Sequence, residues 1–99
     1  MRNPNDPMSD ELTEQDLSTI EERCNKAARQ PWKSYIEGRD HQSGSSFIRT
    51  GEPADVPGTD IELSGATDAD QDFIAHARQD VPRLIAEVRR LRALLRPAG

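Results

Sequence analysis

From Leu17 to Ala27 the apolar side chains recur at three- and four-residue steps (Leu17, Ile20, Cys24, Ala27), which traces one face of a helix. Thr13 is a good N-cap, and Asp16 three residues on is a short-armed relative of the capping box. Acids (Glu14, Asp16, Glu21, Glu22) precede bases (Arg23, Lys26, Arg29), the order that a helix dipole favours. The pattern predicts a first helix over Leu12 to Arg29, ended by Pro31.

The period then shortens to two. Trp32 to Ile36 and Ser46 to Thr50 are rich in aromatic and β-branched residues, and Asp60 to Ser64 places Ile61 and Leu63 on one face. Gly38, Asp40, Gly51 and the proline-bearing stretch from Glu52 to Gly58 read as turns and loops. Three short strands in succession predict an antiparallel meander.

Helical spacing returns in the last third. Thr67 is the cap, Asp68, Asp70 and Asp72 lie in the first turns, and Phe73, Ile74 and Ala77 are the expected buried side. Asp80-Val81-Pro82 predicts a kink or a restart. Beyond it Val81, Leu84, Val88, Leu91 and Leu95 alternate in steps of three and four, with Ile85 and Leu94 widening the stripe. Arg83, Arg89, Arg90, Arg92 and Arg96 occupy the polar side. The expected class is α+β: a helix, a three-stranded antiparallel sheet and a kinked or broken C-terminal helix, with the helices on one face of the sheet.

Ninety-nine residues allow one domain. The proline- and asparagine-bearing residues 1–11 offer little to bury and read as a disordered tail, leaving 12–99 as the domain. Met8 is an alternative start on the same reasoning. The formal charge of -5 is uneven, with 15 acids against 7 bases in residues 1–70 and 3 against 6 in residues 71–99. An acidic surface repels phosphate backbones and suits a basic protein partner, so no nucleic-acid partner is expected. No apolar run approaches the roughly 18 residues that span a bilayer, and residues 1–11 lack the hydrophobic region of a secretory signal. The single cysteine, Cys24, cannot form an internal disulfide. A cytoplasmic location away from the membrane follows. Eleven Arg against two Lys point to a G+C-rich coding sequence.

Candidate chemistry concentrates in the polar connection from Glu37 to Ser46. Asp40, His41 and a serine are the ingredients of a hydrolase, but a triad needs its members brought from separate elements around an oxyanion site, and there is no nucleophile elbow. The loop reads instead as a partner contact, through Glu37, Arg39, Asp40 and His41, joined by Glu62, Asp68 and Asp70. His41, His76 and Cys24 lack metal-ligand spacing, so neither metal nor cofactor is expected. His76, beside Phe73 and Ile74, reads as a helix-surface residue. Val88, Leu91, Leu94 and Leu95 form a candidate homodimer face, because the stripe is longer than three short strands can cover.

The block Asp70-x-x-Phe73-Ile74-Ala75-x-Ala77-Arg78-x-Asp80-Val81-Pro82-x-Leu84 resembles one shared by small orphan proteins of high-G+C bacteria and their phages. The resemblance covers about two-thirds of the chain, from Pro31 to Val88. It implies no defined activity or site residues; the mobile-element setting implies a part in phage–host or toxin–immunity conflict. Together these readings predict a protein that is not an enzyme: an immunity or antitoxin-like inhibitor that occludes a basic toxin. The alternative is a phage or mobile-element accessory protein that dimerises through its C-terminal helix.

Overall fold

The computed structural model describes residues 11–96. The expected tail over 1–11, apart from Glu11, and the alternative start at Met8 lie outside the described residues.

The chain order is α1 (Glu14–Lys26), β1 (Lys33–Tyr35), β2 (Phe47–Arg49), β3 (Asp60–Ile61) and α2 (Asp68–Leu95). This is the α+β class, with an antiparallel sheet in the order β1-β2-β3. α2 packs across β1 and β2, and α1 packs against α2.

Both helices begin at a complete capping box. The Thr13 hydroxyl accepts from the Asp16 amide at 3.0 Å while the Asp16 carboxylate accepts from the Thr13 amide at 2.9 Å. Thr67 and Asp70 repeat the arrangement at 3.0 and 3.1 Å. α1 stops at Lys26, short of Arg29, because the amides that would extend it are engaged elsewhere: Ala27 donates to the Cys24 carbonyl and Arg29 to the Glu52 carboxylate at 2.8 Å. Ala28 accepts from the Trp32 indole at 3.0 Å and from Arg78 Nε at 2.9 Å, and Arg29 accepts from the Gly51 amide at 2.6 Å.

Register sets what each face of the sheet carries. Ser34, Ile48 and Ile61 lie in line, as do Lys33, Arg49 and Asp60, while Tyr35 pairs with Phe47. Side chains alternate between faces along a strand. The Ile48 row therefore faces α2 and the Tyr35–Phe47 pair faces away. Ile48 is fully buried. Leu63, expected beside Ile61 on a longer strand, falls past the end of β3.

α2 buries a different side from the one its apolar residues predict. Phe73 is 74% exposed and Ile74 is also exposed, whereas Gln71, Ala75 and Ile85 are buried. The sheet presents backbone carbonyls here, and a primary amide satisfies them where a phenyl ring cannot. Gln71 Nε2 donates to Tyr35 O at 3.2 Å, Phe47 O at 3.0 Å and Ser34 Oγ at 3.0 Å. About two turns further on, Gln79 pairs with the backbone of Trp32, accepting from its amide at 2.6 Å and donating to its carbonyl at 3.2 Å.

α2 continues as one element through Asp80 and Pro82. Pro82 supplies no N–H to the Arg78 carbonyl, a cost of about 3 kcal/mol in a helix interior. Packing on both sides of the proline offsets it. Gln71 and Ala75 dock one half on the sheet; Ile85 is buried, and Arg89 holds the other half to α1 through Glu14 at 2.9 Å and Glu21 at 3.0 Å. Leu17 is the buried residue of α1.

Candidate partner-binding surface

The β1–β2 connection, residues 36–46, is fixed by its own polar groups. Gly38 turns the chain at φ +84, a conformation that suits glycine. The Ile36 carbonyl accepts from the Arg39 and Asp40 amides, and the Asp40 carboxylate returns to accept from the Ile36 amide at 2.8 Å. Glu37 accepts from the Gly44 amide at 2.7 Å, and the Ser46 hydroxyl accepts from the Glu37 amide at 3.0 Å.

Arg39 ties this loop to α2. Its guanidinium donates to both oxygens of Asp72, at 2.8 and 3.1 Å, and to the neighbouring Asp40 carboxylate at 2.8 Å. A planar fork against a carboxylate is the stronger kind of ion pair. Arg39, then a hydrogen bond from Ser34, holds the Asp72 carboxyl down at about 2, and Arg39, then the Ile36 amide, holds Asp40 below the usual carboxylate range. The same two carboxylates raise the Arg39 guanidinium further.

His41 sits under the loop with its ring centroid 5.2 Å from Phe47 and 6.2 Å from Tyr35. Its Nδ1 accepts from the Ser43 amide at 3.0 Å, so a neutral ring carries its proton on Nε2. Nε2 is buried and has no hydrogen-bond partner among the described residues. Asp40 does not reach His41; it is bound to Arg39 and Ile36. Ser43 Oγ lies 2.7 Å from Nδ1, the same nitrogen that the Ser43 amide approaches, which closes a local turn. Among the described residues no acid stands at the second nitrogen to orient the ring as a relay requires.

On the open face of the sheet Tyr35 and Phe47 stack at 5.2 Å, with Lys33 Nζ 5.3 Å from the Tyr35 ring and Arg49 Cζ 5.4 Å from the Phe47 ring. Arg49 also pairs with Asp60 at 2.6 Å across the β2–β3 ladder. Half-buried aromatics edged by cations are thus continuous with the loop.

Of the expected contact residues, Glu37, Arg39, Asp40 and His41 come together in the loop. Asp72 brings the start of α2 beside them, with Asp68 exposed one turn earlier. Asp70 is engaged at the cap, and Glu62 is exposed just past β3. On the expected dimer face Val88 is half-buried, while Leu91, Leu94 and Leu95 are exposed. Sequence reasoning missed Gln71, Gln79 and the Asp72 partner of Arg39. An Asp in the second helical turn, where a dipole effect has faded, was the available signal for the last.

The chain matches no protein-family model, no curated protein and no solved structure.

Among the described residues, no three His, Cys, Asp or Glu side chains are grouped so as to hold a metal ion. No helix among them is long and apolar enough to cross a membrane.

Proposed function

We propose that this is a cytoplasmic, non-enzymatic binding protein of the immunity or antitoxin-like kind, which occludes a basic toxin with the 37–46 loop and the adjoining start of α2. One observation carries the reading: the loop is already ordered in the free chain by the Arg39–Asp72 clamp. A loop set in its contact shape loses little further entropy on binding, which favours tight occlusion by a small surface. Acidic Glu62 and Asp68 beside it, on a chain of net charge -5, favour approach of a cationic protein.

The test starts by capturing partners with tagged protein and expressing each captured protein alone. A partner that arrests growth, with relief on co-expression, supports the reading. Reversing Glu62 and Asp68 to lysine is then expected to slow association on the order of ten-fold at low salt, with the difference closing at high salt. Partners that are harmless alone, or that bind the reversed-charge protein equally fast, remove it.

A further inference from the structure

The large apolar side chains that α2 leaves exposed are Phe73, Ile74, Leu84, Leu91, Leu94 and Leu95. Five of these six positions are symmetric about Leu84. Phe73 and Leu95 lie eleven residues to either side, Ile74 and Leu94 ten, and Leu91 is matched seven residues away by Ala77. At about 100° per residue, Phe73, Ala77, Leu91 and Leu95 all fall within about 20° of the line through Leu84, while Ile74 and Leu94 flank it on opposite sides. The buried residues Gln71, Ala75 and Ile85 face elsewhere. A pattern that reads the same in both directions is self-complementary to an antiparallel copy of itself, which is the requirement of a two-fold interface.

Charge follows the same symmetry. Asp80, Arg83, Glu87 and Arg90 alternate in sign along one flank of the stripe. In an antiparallel copy centred on Leu84, Arg90 comes level with Asp80 and Glu87 with Arg83, each to within roughly 3 Å along the axis. Shape agrees as well. An open groove of about 460 Å³ lined by Leu63, Ala66, Phe73 and Ile74 lies at the end of the helix where the partner's Leu94 and Leu95 would arrive. Another, of about 470 Å³, borders Leu84 between Asp80, Arg83 and Glu87. Pro82 is two residues from Leu84, about 200° round the helix, so its missing N–H lies away from this face.

We infer that a second copy of this chain covers the face, forming an antiparallel α2–α2 homodimer whose two-fold axis passes beside Leu84. Six large apolar side chains from each copy bury area on the order of the 1,000 Å² that a specific interface needs. The dimer carries two copies of the 37–46 loop, one from each chain.

Sedimentation equilibrium of the full chain at increasing concentration is expected to show a dimer. Leu84→Glu places two like charges at the axis and is expected to weaken association at least ten-fold with an unchanged circular dichroism spectrum, since Leu84 is 62% exposed. Leu94→Glu does the same by an independent route. In a Cys24→Ser background, Leu84→Cys cross-links to itself on mild oxidation and the pair Ala77→Cys with Leu91→Cys cross-links, but Leu91→Cys alone does not. A wild-type monomer at all concentrations, variants that dimerise as well as wild type, or ready self-linkage of Leu91→Cys overturns the proposal.

Discussion

Replacing Gln71 by leucine removes the amide that fastens α2 to the sheet, at a residue the solvent barely reaches. Gln71 Nε2 donates to the carbonyls of Tyr35 and Phe47 and to Ser34 Oγ. Ser34 retains its hydrogen bond to Asp72, so the loss falls on the two carbonyls. Tyr35 and Phe47 are ladder partners, so each carbonyl keeps its strand donor and loses only a second hydrogen bond; such a bond is worth about 0.5–1.5 kcal/mol net, and the added apolar burial of leucine returns part of this. The net expectation is a loss of about 1 kcal/mol, which in a domain of this size lowers Tm by about 4–8 °C. Urea and thermal denaturation followed by circular dichroism measure it, with an unchanged m-value showing that the effect is on stability. Gln42→Leu, in the exposed part of the loop, is the control and is expected to stay within about 0.5 kcal/mol of wild type. Gln71→Glu sets an acceptor against acceptors and is expected to cost more than leucine does. If Gln71→Leu matches wild type within about 0.5 kcal/mol, the amide is not what seats the helix.

Gly51→Ala is expected to destabilise by about 3 kcal/mol or more, because a β-carbon there would run into the Gln30 carbonyl oxygen, a backbone atom that cannot simply rotate away; a midpoint shift worth under 1 kcal/mol on the same scale contradicts the close approach. Ile48→Ala, at a fully buried position, is expected to cost about 2–5 kcal/mol in the same assay. Asp72 falls from 3.8 to about 2 on folding, so its contribution is complete above about pH 4 and is lost as pH drops through about 2. Asp72→Asn should flatten that part of the stability–pH curve, and parallel curves for variant and wild type would count against the clamp. Arg39→Met is expected to speed amide hydrogen exchange at Gly38 and Asp40 without altering β2, since it releases the loop from α2; unchanged exchange there refutes the ordering role.

The elements with local signals were legible. Thr13 with Asp16 and Thr67 with Asp70 mark helix starts by chemistry confined to four residues, and both appear at those positions. The first two strands were placed by their aromatic and β-branched content and pair at their centres, whereas the third was placed by alternation and pairs only at its start, Asp60 and Ile61. The burial of α2 was not legible, because hydrophobicity assigns Phe73 to the core and Gln71 to solvent. The deciding fact, carbonyls of β1 and β2 under that helix, exists only after the sheet has formed. Pro82 was read from a local rule, yet packing on both sides of it carries the helix through. In the loop, the residue types at 37–46 were visible but their mutual bonds were not. Arg39 and Asp72 are separated by 33 residues, and no short-range pattern connects them.

The way α1 is attached has a dynamic consequence. It rests on α2 through Leu17, through the ion pairs of Arg89 with Glu14 and Glu21, and through Arg92 donating to the Leu12 carbonyl. These charged groups are partly solvated, so added salt weakens the attachment more than it weakens the sheet. The first helix is therefore the segment that peels away earliest, in a partial opening that leaves β1, β2 and the near half of α2 in place. Raising ionic strength should widen the gap between its amide protection and theirs.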